Sequence, residues 1–293
     1  MLLALDELRR MDCGEVMRVL DLFAGLGSGT AAFAERGHVV VTTDIHDAFN
    51  CTVVGDIFNR ATVERVMDLG PYDFIWASPP CQSFTVMQVG RNWHKRPPLE
   101  VGWHEPPETG PRTQKAIQGM RLVRAALDII EESEPFAWVL ENPRAKLRQL
   151  PLMDGYERRM VTLCQYGMPY MKPTDLWGGF PPGLVFKPAC HNGDPCHIAA
   201  PRGSRSGAQG TLKGMQTFKV GTPEATAAYR RIPYDLSLDI CLATEAALAG
   251  QPMEGATLLD VAATRESVCD ACGQCYDHEP SECGQPESMG VQP

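Results

Sequence analysis

The chain has 293 residues, 44% of them hydrophobic and 22% charged, an ordinary globular composition with enough apolar material for a core. At about 100–200 residues per domain, this length implies one large domain, or one with a small partner. The formal net charge of −9 argues, taken alone, against a surface built to coat nucleic acid, and no run of about 18 apolar residues is free of charge, which excludes a membrane-spanning helix.

Residues 2–11 predict a short amphipathic helix, and the start MLLALDELRR lacks the basic leader of a secretory signal. Val16–Phe23 predicts a buried strand that runs straight into a glycine-rich turn, followed by a helix over Thr30–Arg36 that Gly37 stops. His38–Thr43 predicts a second strand ending at Asp44, and Cys51–Gly55 a short third strand before Asp56. A helix over Ala61–Leu69 and a fourth strand over Tyr72–Ala77 follow. Residues 83–113, rich in Pro, Gly, His, Trp and Arg, predict a long functional loop. Beyond it come a long amphipathic helix (Thr113–Glu134), a fifth strand (Phe136–Leu140) and a sixth (Met160–Gln165). Residues 173–223 turn irregular, 224–249 are helical with a break at Pro233, and the rest predicts a mostly disordered acidic tail. Short apolar strands alternating with helices are the pattern of an open parallel α/β sheet.

Three constellations fall at predicted strand ends, where open sheets bind ligands. The first is Asp21-Leu22-Phe23-Ala24-Gly25-Leu26-Gly27-Ser28-Gly29-Thr30. Its glycines permit close backbone approach to a ligand, and the helix start offers free amides. Its G-x-G-x-G spacing differs from the G-x-G-x-x-G of dinucleotide dehydrogenases, and a lone turn of this kind is weak evidence. Asp44, at the end of the next strand where ribose hydroxyls are commonly gripped, and Asp56, at the end of the strand after that, strengthen it, although each alone reads equally as a helix N-cap. The second constellation is Ser78-Pro79-Pro80-Cys81-Gln82-Ser83, where two prolines stiffen the turn that presents a thiol. An ordinary cysteine is only about 3% thiolate at pH 7, a fraction that nearby bases could raise. The third is Glu141-Asn142-Pro143-Arg144, which reads as a capped turn or as a carboxylic acid beside the thiol.

DLFAGLGSGT, SPPCQSF and ENP, in that order, resemble the DNA (cytosine-5)-methyltransferases, and YGMPYMKPT at 166–174 resembles a later motif of that family, usually YG-x-PQ-x-R-x-R. The resemblance covers roughly residues 17–177. It implies a Rossmann-like S-adenosylmethionine-dependent methyltransferase sheet with a small, irregular target-recognition region. It also implies S-adenosylmethionine as cofactor, with Phe23, Ala24, Gly25, Gly27, Ser28 and Gly29 at its methionine end and Asp44 at its ribose. Asp56 and Ile57 would hold the adenine, and Ile45 and Pro79 complete the cofactor set. Cys81 is the implied nucleophile toward cytosine carbon-6, Glu141 the group at ring N3, and Lys172 a point charge on the base or phosphate. The base must leave the duplex to be reached, and the 83–113 loop, with Arg91, Trp93, His94, Lys95 and Arg96, is expected to close over the DNA.

The chain departs from the family pattern in three places. The usual E-N-V reads Glu141-Asn142-Pro143. Lys172 and Thr174 stand where two arginines are usual and Tyr170 where a Gln is, which forfeits bidentate recognition. The usual R-x-L-T-x-R-E and Gln-x-Gly-Asn segments are missing near the end, with Arg231–Leu236 in their place. The variant looks like the short members common in phage and prophage genomes, with restriction-modification or orphan methylation as the alternative roles.

The resulting expectation is a catalytic domain over 1–174, a recognition region over 175–223 that reads a short DNA sequence, C-terminal helices over 224–250 packed on the catalytic domain, and an acidic tail over 251–293. From Gly250 onward eight acids face one base, so the tail carries −7 and the remainder only −2. The bases of that remainder cluster at 83–124, 142–172 and 187–231, the segments expected to face DNA. Double-stranded DNA is the expected partner, with no membrane, a monomeric state and a cytoplasmic location in a bacterial or phage-infected cell. An RNA-directed cytosine-5 methyltransferase and a catalytically weak DNA-binding or anti-restriction protein on the same fold are the alternatives; intact Cys81 and Glu141 argue against the second.

Eleven cysteines, an odd number, favour reduced thiols over a disulfide framework. Cys269, Cys272, Cys275 and Cys283 have metal-ligand types but no strong zinc spacing. Cys190, His191, Cys196 and His197 form two adjacent Cys-His pairs, a poor geometry for four ligands on one ion, and the expectation there is an ordinary loop rather than a metal site.

Overall fold

A computed structural model describes residues 16–94, 110–191, 193–197 and 230–250. The chain divides into two compact units, Met1–Met253 and Glu254–Pro293, and every described residue lies in the first. The predicted helix over 2–11, the acidic tail with its four cysteines, and Lys95 and Arg96 lie outside the described residues.

Seven strands form one sheet: β1 (Arg18–Leu22), β2 (Val39–Asp44), β3 (Val53–Val54), β4 (Phe74–Ala77), β5 (Ala137–Pro143), β6 (Arg158–Thr162) and β7 (Pro173–Gly179). Their order across the sheet is β3-β2-β1-β4-β5-β7-β6. The first five pair in parallel, and β7 runs antiparallel between β5 and β6. The order reverses between β1 and β4, which is the Rossmann-like arrangement and puts the switch point, where such sheets bind ligands, at the carboxyl ends of those two strands.

The helices are α1 (Ala31–Glu35), α2 (Arg60–Asp68), α3 (Val86–Asn92), α4 (Gln114–Ser133) and α5 (Tyr234–Leu248). Strand side chains alternate between the two faces. Leu20, Ile75, Ala77 and Leu140 go to one core with Val66 of α2 and Val123, Leu127 and Ile130 of α4. Val19, Phe74, Trp76 and Val139 go to the other with Phe33 of α1 and Leu236 and Ile240 of α5. Because both faces are covered, the strands read as continuous apolar runs rather than as alternating ones.

Helix α4 starts where the Thr113 side chain accepts from the Ala116 amide, and it buries Ala116, Gly119, Val123, Ala126, Leu127 and Ile130, a three-and-four spacing that makes one apolar stripe. Asn59, not Asp56, caps α2; Asp56 instead accepts from the Phe58 amide in a local turn. Helix α5 is held to the link between α1 and β2 by Glu245, which meets Arg36 Nε at 2.7 Å and His38 Nε2 at 2.8 Å.

Two expectations change. The stretch after Cys81 is not structureless: α3 forms within it, and Trp93 packs at 1% exposure against Phe84, its indole N–H donating to the Ser83 carbonyl at 2.8 Å. Trp93 is therefore a core anchor rather than one of the side chains expected to close over the DNA. Residues 173–179, read as the start of an irregular region, are β7, and the strand runs across the 174/175 boundary.

Candidate active site

The glycine turn is built by the ends of β1 and β2. Phe23, Gly25 and Gly27 all take positive φ (60°, 51° and 66°). For Phe23 this costs energy that only a specific local arrangement repays. The Ala24 amide donates to the Thr43 carbonyl at 3.0 Å and the Gly25 amide to Asp44 Oδ2 at 3.1 Å. Asp44 Oδ1 also accepts from the His46 amide at 2.9 Å, so this acid shapes the turn as well as facing it. A Cβ added at Gly25 or Gly27 would meet no atom within 4 Å, so the turn is open on that side. Leu26 (54% exposed) and Ile45 (59%) place apolar side chains in solvent on the turn and just beyond Asp44. Such an open cradle with acid and apolar flanks fits a polar, nucleoside-bearing ligand.

The other expected cofactor residues divide. The Ser28 hydroxyl accepts from the Ile232 amide at 3.0 Å, and a Cβ at Gly29 would lie 2.4 Å from Trp76 Nε1. Both serve packing between the turn, the sheet and the C-terminal segment. Asp56 is exposed, Ile57 is 7% exposed within the core and Pro79 is buried. Behind the turn, buried Asp21 accepts from Thr30 Oγ1 at 2.7 Å; burial, and then the charge of Asp44, push its carboxyl up to about 7 against the lowering effect of Thr30.

Cys81 opens a 3-10 turn, Cys81–Ser83, directly after β4 and its two prolines. Glu141 and Asn142 lie on the neighbouring strand β5 and are buried. Asn142 Nδ2 donates to the Pro79 carbonyl at 3.0 Å, tying the thiol-bearing turn to the strand that carries the acid. Lys172 enters from the segment between β6 and β7, its Nζ 4.0 Å from Glu141 Oε1. That oxygen is buried and has no hydrogen-bond partner among the described residues.

Burial raises the Glu141 carboxyl above its ordinary range; Lys172 and a hydrogen bond from Ser78 counter this in part. Ser78 Oγ itself accepts from Trp76 Nε1 at 2.8 Å, which fixes the hydroxyl that acts on Glu141. The Cys81 thiol is also raised, by burial first and then by the charge of Glu141, while Lys172 and Arg230 pull it down. The nearby bases thus fail to outweigh burial, and Cys81 of the free protein is a thiol rather than a ready thiolate. One further pair supports the strand ends: Arg148 Nε meets Asp175 Oδ2 at 2.9 Å, with Asp175 on β7 opposite Asn142.

The structure therefore gathers half-buried Cys81 and Lys172 around buried Glu141 in one polar cluster. Sequence reasoning missed Ser78 and Asn142 as positioning groups, and it missed Arg230. A hydroxyl and an amide inside strand-end motifs were legible signals for the first two; for Arg230, about 150 residues from Cys81 in the chain, there was none.

These features define an α/β protein with a Rossmann-like sheet, an open glycine cradle at its switch point and a thiol–carboxylate–amine centre beside it. The chain is similar to a protein of Frog virus 3 (isolate Goorha) described as "Probable DNA (cytosine-5)-methyltransferase", with 29% identity over 225 residues, 68% of this chain and 93% of that one. The likeness to DNA (cytosine-5)-methyltransferases carried by the motifs holds in this comparison. Solved structures that match include an E. coli protein described as a "putative DNA modification methyltransferase encoded within prophage", at 19% identity and a TM-score of 0.36, covering 56% of this chain and 46% of that one. Another is a methyltransferase of Entamoeba histolytica, at 12% identity and a TM-score of 0.40, covering 60% and 57%. This chain thus spans about half the length of those two. No family model matches it. Among the described residues no helix is long and apolar enough to cross a membrane.

Proposed function

We propose that this chain is a DNA (cytosine-5)-methyltransferase that uses S-adenosylmethionine and acts on a cytosine turned out of duplex DNA. The observation that carries the reading is the convergence of Cys81, Glu141 and Lys172 beside an open glycine cradle, on a chain similar to a viral protein of that description.

The backbone of Phe23–Gly27 would hold the methionine end, Asp44 the ribose, and Ile45 with the Asp56–Ile57 turn the adenine. When bound there, S-adenosylmethionine supplies an electrophilic methyl group. The residues of the chain do the rest. Cys81 Sγ, after losing its proton to water, adds to carbon-6 of the ring, and the electron pair of the 5,6 double bond moves to carbon-5. Glu141, whose buried carboxyl sits above its ordinary range, donates to N3 as that nitrogen gains charge. Lys172 holds the acid in place and opposes the accumulation of negative charge. After carbon-5 has been methylated, it loses its proton to water, Cys81 is expelled as the thiolate, and N3 returns its proton to Glu141, which restores the aromatic ring.

The test is incubation of the full chain with duplex DNA, and in parallel with RNA, together with S-adenosylmethionine carrying a tritiated methyl group. Label recovered as 5-methylcytosine, absent with Cys81→Ala, is the expected result. Label only in RNA, or equal transfer by Cys81→Ala, would overturn the reading. The residues after β7, through about 223, are proposed to read the target sequence, which bisulfite sequencing of the product would reveal.

A further inference from the structure

Outside the candidate active site, four metal-ligating side chains converge where the chain leaves the sheet. Cys164 lies in the 3-10 turn after β6, Leu163–Tyr166, and Cys190, Cys196 and His197 lie on the segment that follows β7. One ligand atom from each lies within 4.8 Å of every other. Cys164 Sγ is 2.9 Å from Cys190 Sγ, and His197 Nδ1 is 3.7 Å from Cys190 Sγ and 3.4 Å from Cys196 Sγ. His191, the fourth residue of the Cys-His pairs, is not part of the group: its side chain is 71% exposed and faces Asp194. Cys164 takes its place. The objection that adjacent Cys-His pairs cannot surround one ion therefore falls, because one pair contributes only its cysteine.

The arrangement is not a disulfide, since a sulfur–sulfur bond is about 2.03–2.05 Å. Its sulfur–nitrogen separations bracket the edge of about 3.6 Å that a tetrahedron with zinc–sulfur near 2.3 Å and zinc–nitrogen near 2.0–2.1 Å requires. The sulfur pair at 2.9 Å is closer than the corresponding edge of about 3.8 Å, so those two thiols would part slightly on binding.

The group is also built, not incidental. The Cys190 amide donates to Thr162 Oγ1 at 2.9 Å and the Lys187 amide to the Tyr166 hydroxyl at 2.8 Å, which clips the second segment onto β6 and its turn. Gln165 Nε2 points at Cys196 Sγ from 3.8 Å, as an outer-sphere donor to a thiolate would. His197 Nε2 is buried without a partner among the described residues, so Nδ1 is the nitrogen that addresses the sulfurs.

We infer that Cys164, Cys190, Cys196 and His197 form a structural zinc site of the Cys3His type. Three thiolates with one imidazole select a tetrahedral, soft-ligand ion, and four protein ligands leave no open position for catalysis. The ion would fasten the segment leading to residues 198–229 onto the turn after β6. That turn is bonded to the Lys172 segment through the Leu163 amide, which donates to the Lys172 carbonyl at 3.2 Å. The site would thus anchor both the chain entering the proposed recognition region and the backbone that presents Lys172.

The test is zinc content of the untagged full chain, purified under reducing conditions and reconstituted with zinc, compared with Cys196→Ser, His197→Ala and a variant with Cys269, Cys272, Cys275 and Cys283 all replaced by Ser. We expect the wild type to exceed Cys196→Ser and His197→Ala by one equivalent, with the tail variant keeping that equivalent. Zinc-edge X-ray absorption of the tail variant, or of the wild type if the variant does not fold, is expected to give three sulfurs near 2.3 Å and one nitrogen near 2.0–2.1 Å. This second measurement does not depend on Cys196→Ser being stable. No bound zinc, zinc lost only with the tail cysteines, or a Cys164–Cys190 disulfide found by alkylation and mass spectrometry would each overturn the inference. None of these readouts depends on methyl transfer, so the site can stand or fall apart from the proposed activity.

Discussion

Asn142 Nδ2 donates to the carbonyl of Pro79 at 3.0 Å, and through that bond strand β5 holds the turn that presents Cys81. Both groups are buried, so the bond has no substitute in water. Asn142→Ala leaves the carbonyl unpaired at a cost of about 1–3 kcal/mol, read by urea denaturation. Because the thiol is then no longer fixed over its target, kcat should fall by about 10²-fold. Asn142→Asp places an acceptor against the carbonyl, and its stability deficit should shrink as pH falls and the new acid gains a proton. An Asn142→Ala enzyme of normal kcat would show that the prolines alone position Cys81.

Gly25 and Gly29 sit four residues apart and are predicted to fail differently. A Cβ at Gly29 would lie 2.4 Å from the Trp76 indole nitrogen, so Gly29→Ala overpacks the core by about 1–3 kcal/mol. Gly25 faces open space but has φ +51°, so Gly25→Ala costs only about 1–2 kcal/mol in the backbone. Its methyl group, however, enters the cradle. Calorimetric affinity for S-adenosylmethionine should drop at least about tenfold, or 1.4 kcal/mol, for Gly25→Ala. Similar stability losses with unchanged affinity in both variants would mean that the ligand does not use this turn.

Much of this architecture was legible because its signals are local. Strands β1, β2, β4 and β5 are contiguous apolar runs, and the glycine turn, Cys81 and Glu141 fall within a residue or four of their ends. What sequence missed depends on distant partners. Strand β7 has Pro, Thr and two glycines, and it becomes a strand only by pairing with β5 and β6 on both edges. Trp93 sits in a Pro- and Gly-rich stretch that resembles a mobile loop, yet Phe84 and the Ser83 carbonyl bury it. Cys164 and Cys190 are 26 residues apart, and nothing in their spacing shows that a turn after β6 meets a segment after β7.

Asp21 links pH to stability. Its carboxyl is raised to about 7 by burial, against about 3.9 in an unfolded chain. Between these values the folded protein holds a proton that the unfolded chain has lost. The contribution of this group is therefore whole below about pH 4 and is lost as pH rises through about 7. Asp21→Asn keeps an acceptor for Thr30 and removes the buried charge. Relative to wild type it should gain about 2–3 kcal/mol of stability on going from pH 5 to pH 8, measured by urea denaturation at both. A difference that stays constant with pH would show that Asp21 titrates as an ordinary acid.

Lys172 Nζ lies 4.0 Å from Glu141 Oε1, and its charge lowers both the Glu141 carboxyl and the Cys81 thiol against the raising effect of burial. Lys172→Met removes that charge, so both groups must move further up. The kcat/KM profile of the free enzyme should then shift to higher pH on both limbs, whichever group governs each limb. Lys172→Arg keeps the charge and should leave the limbs near their wild-type positions while changing the height of the profile, since guanidinium geometry differs. A Lys172→Met profile that is lower but unmoved would assign Lys172 to the DNA phosphate or the base rather than to the Cys81–Glu141 pair.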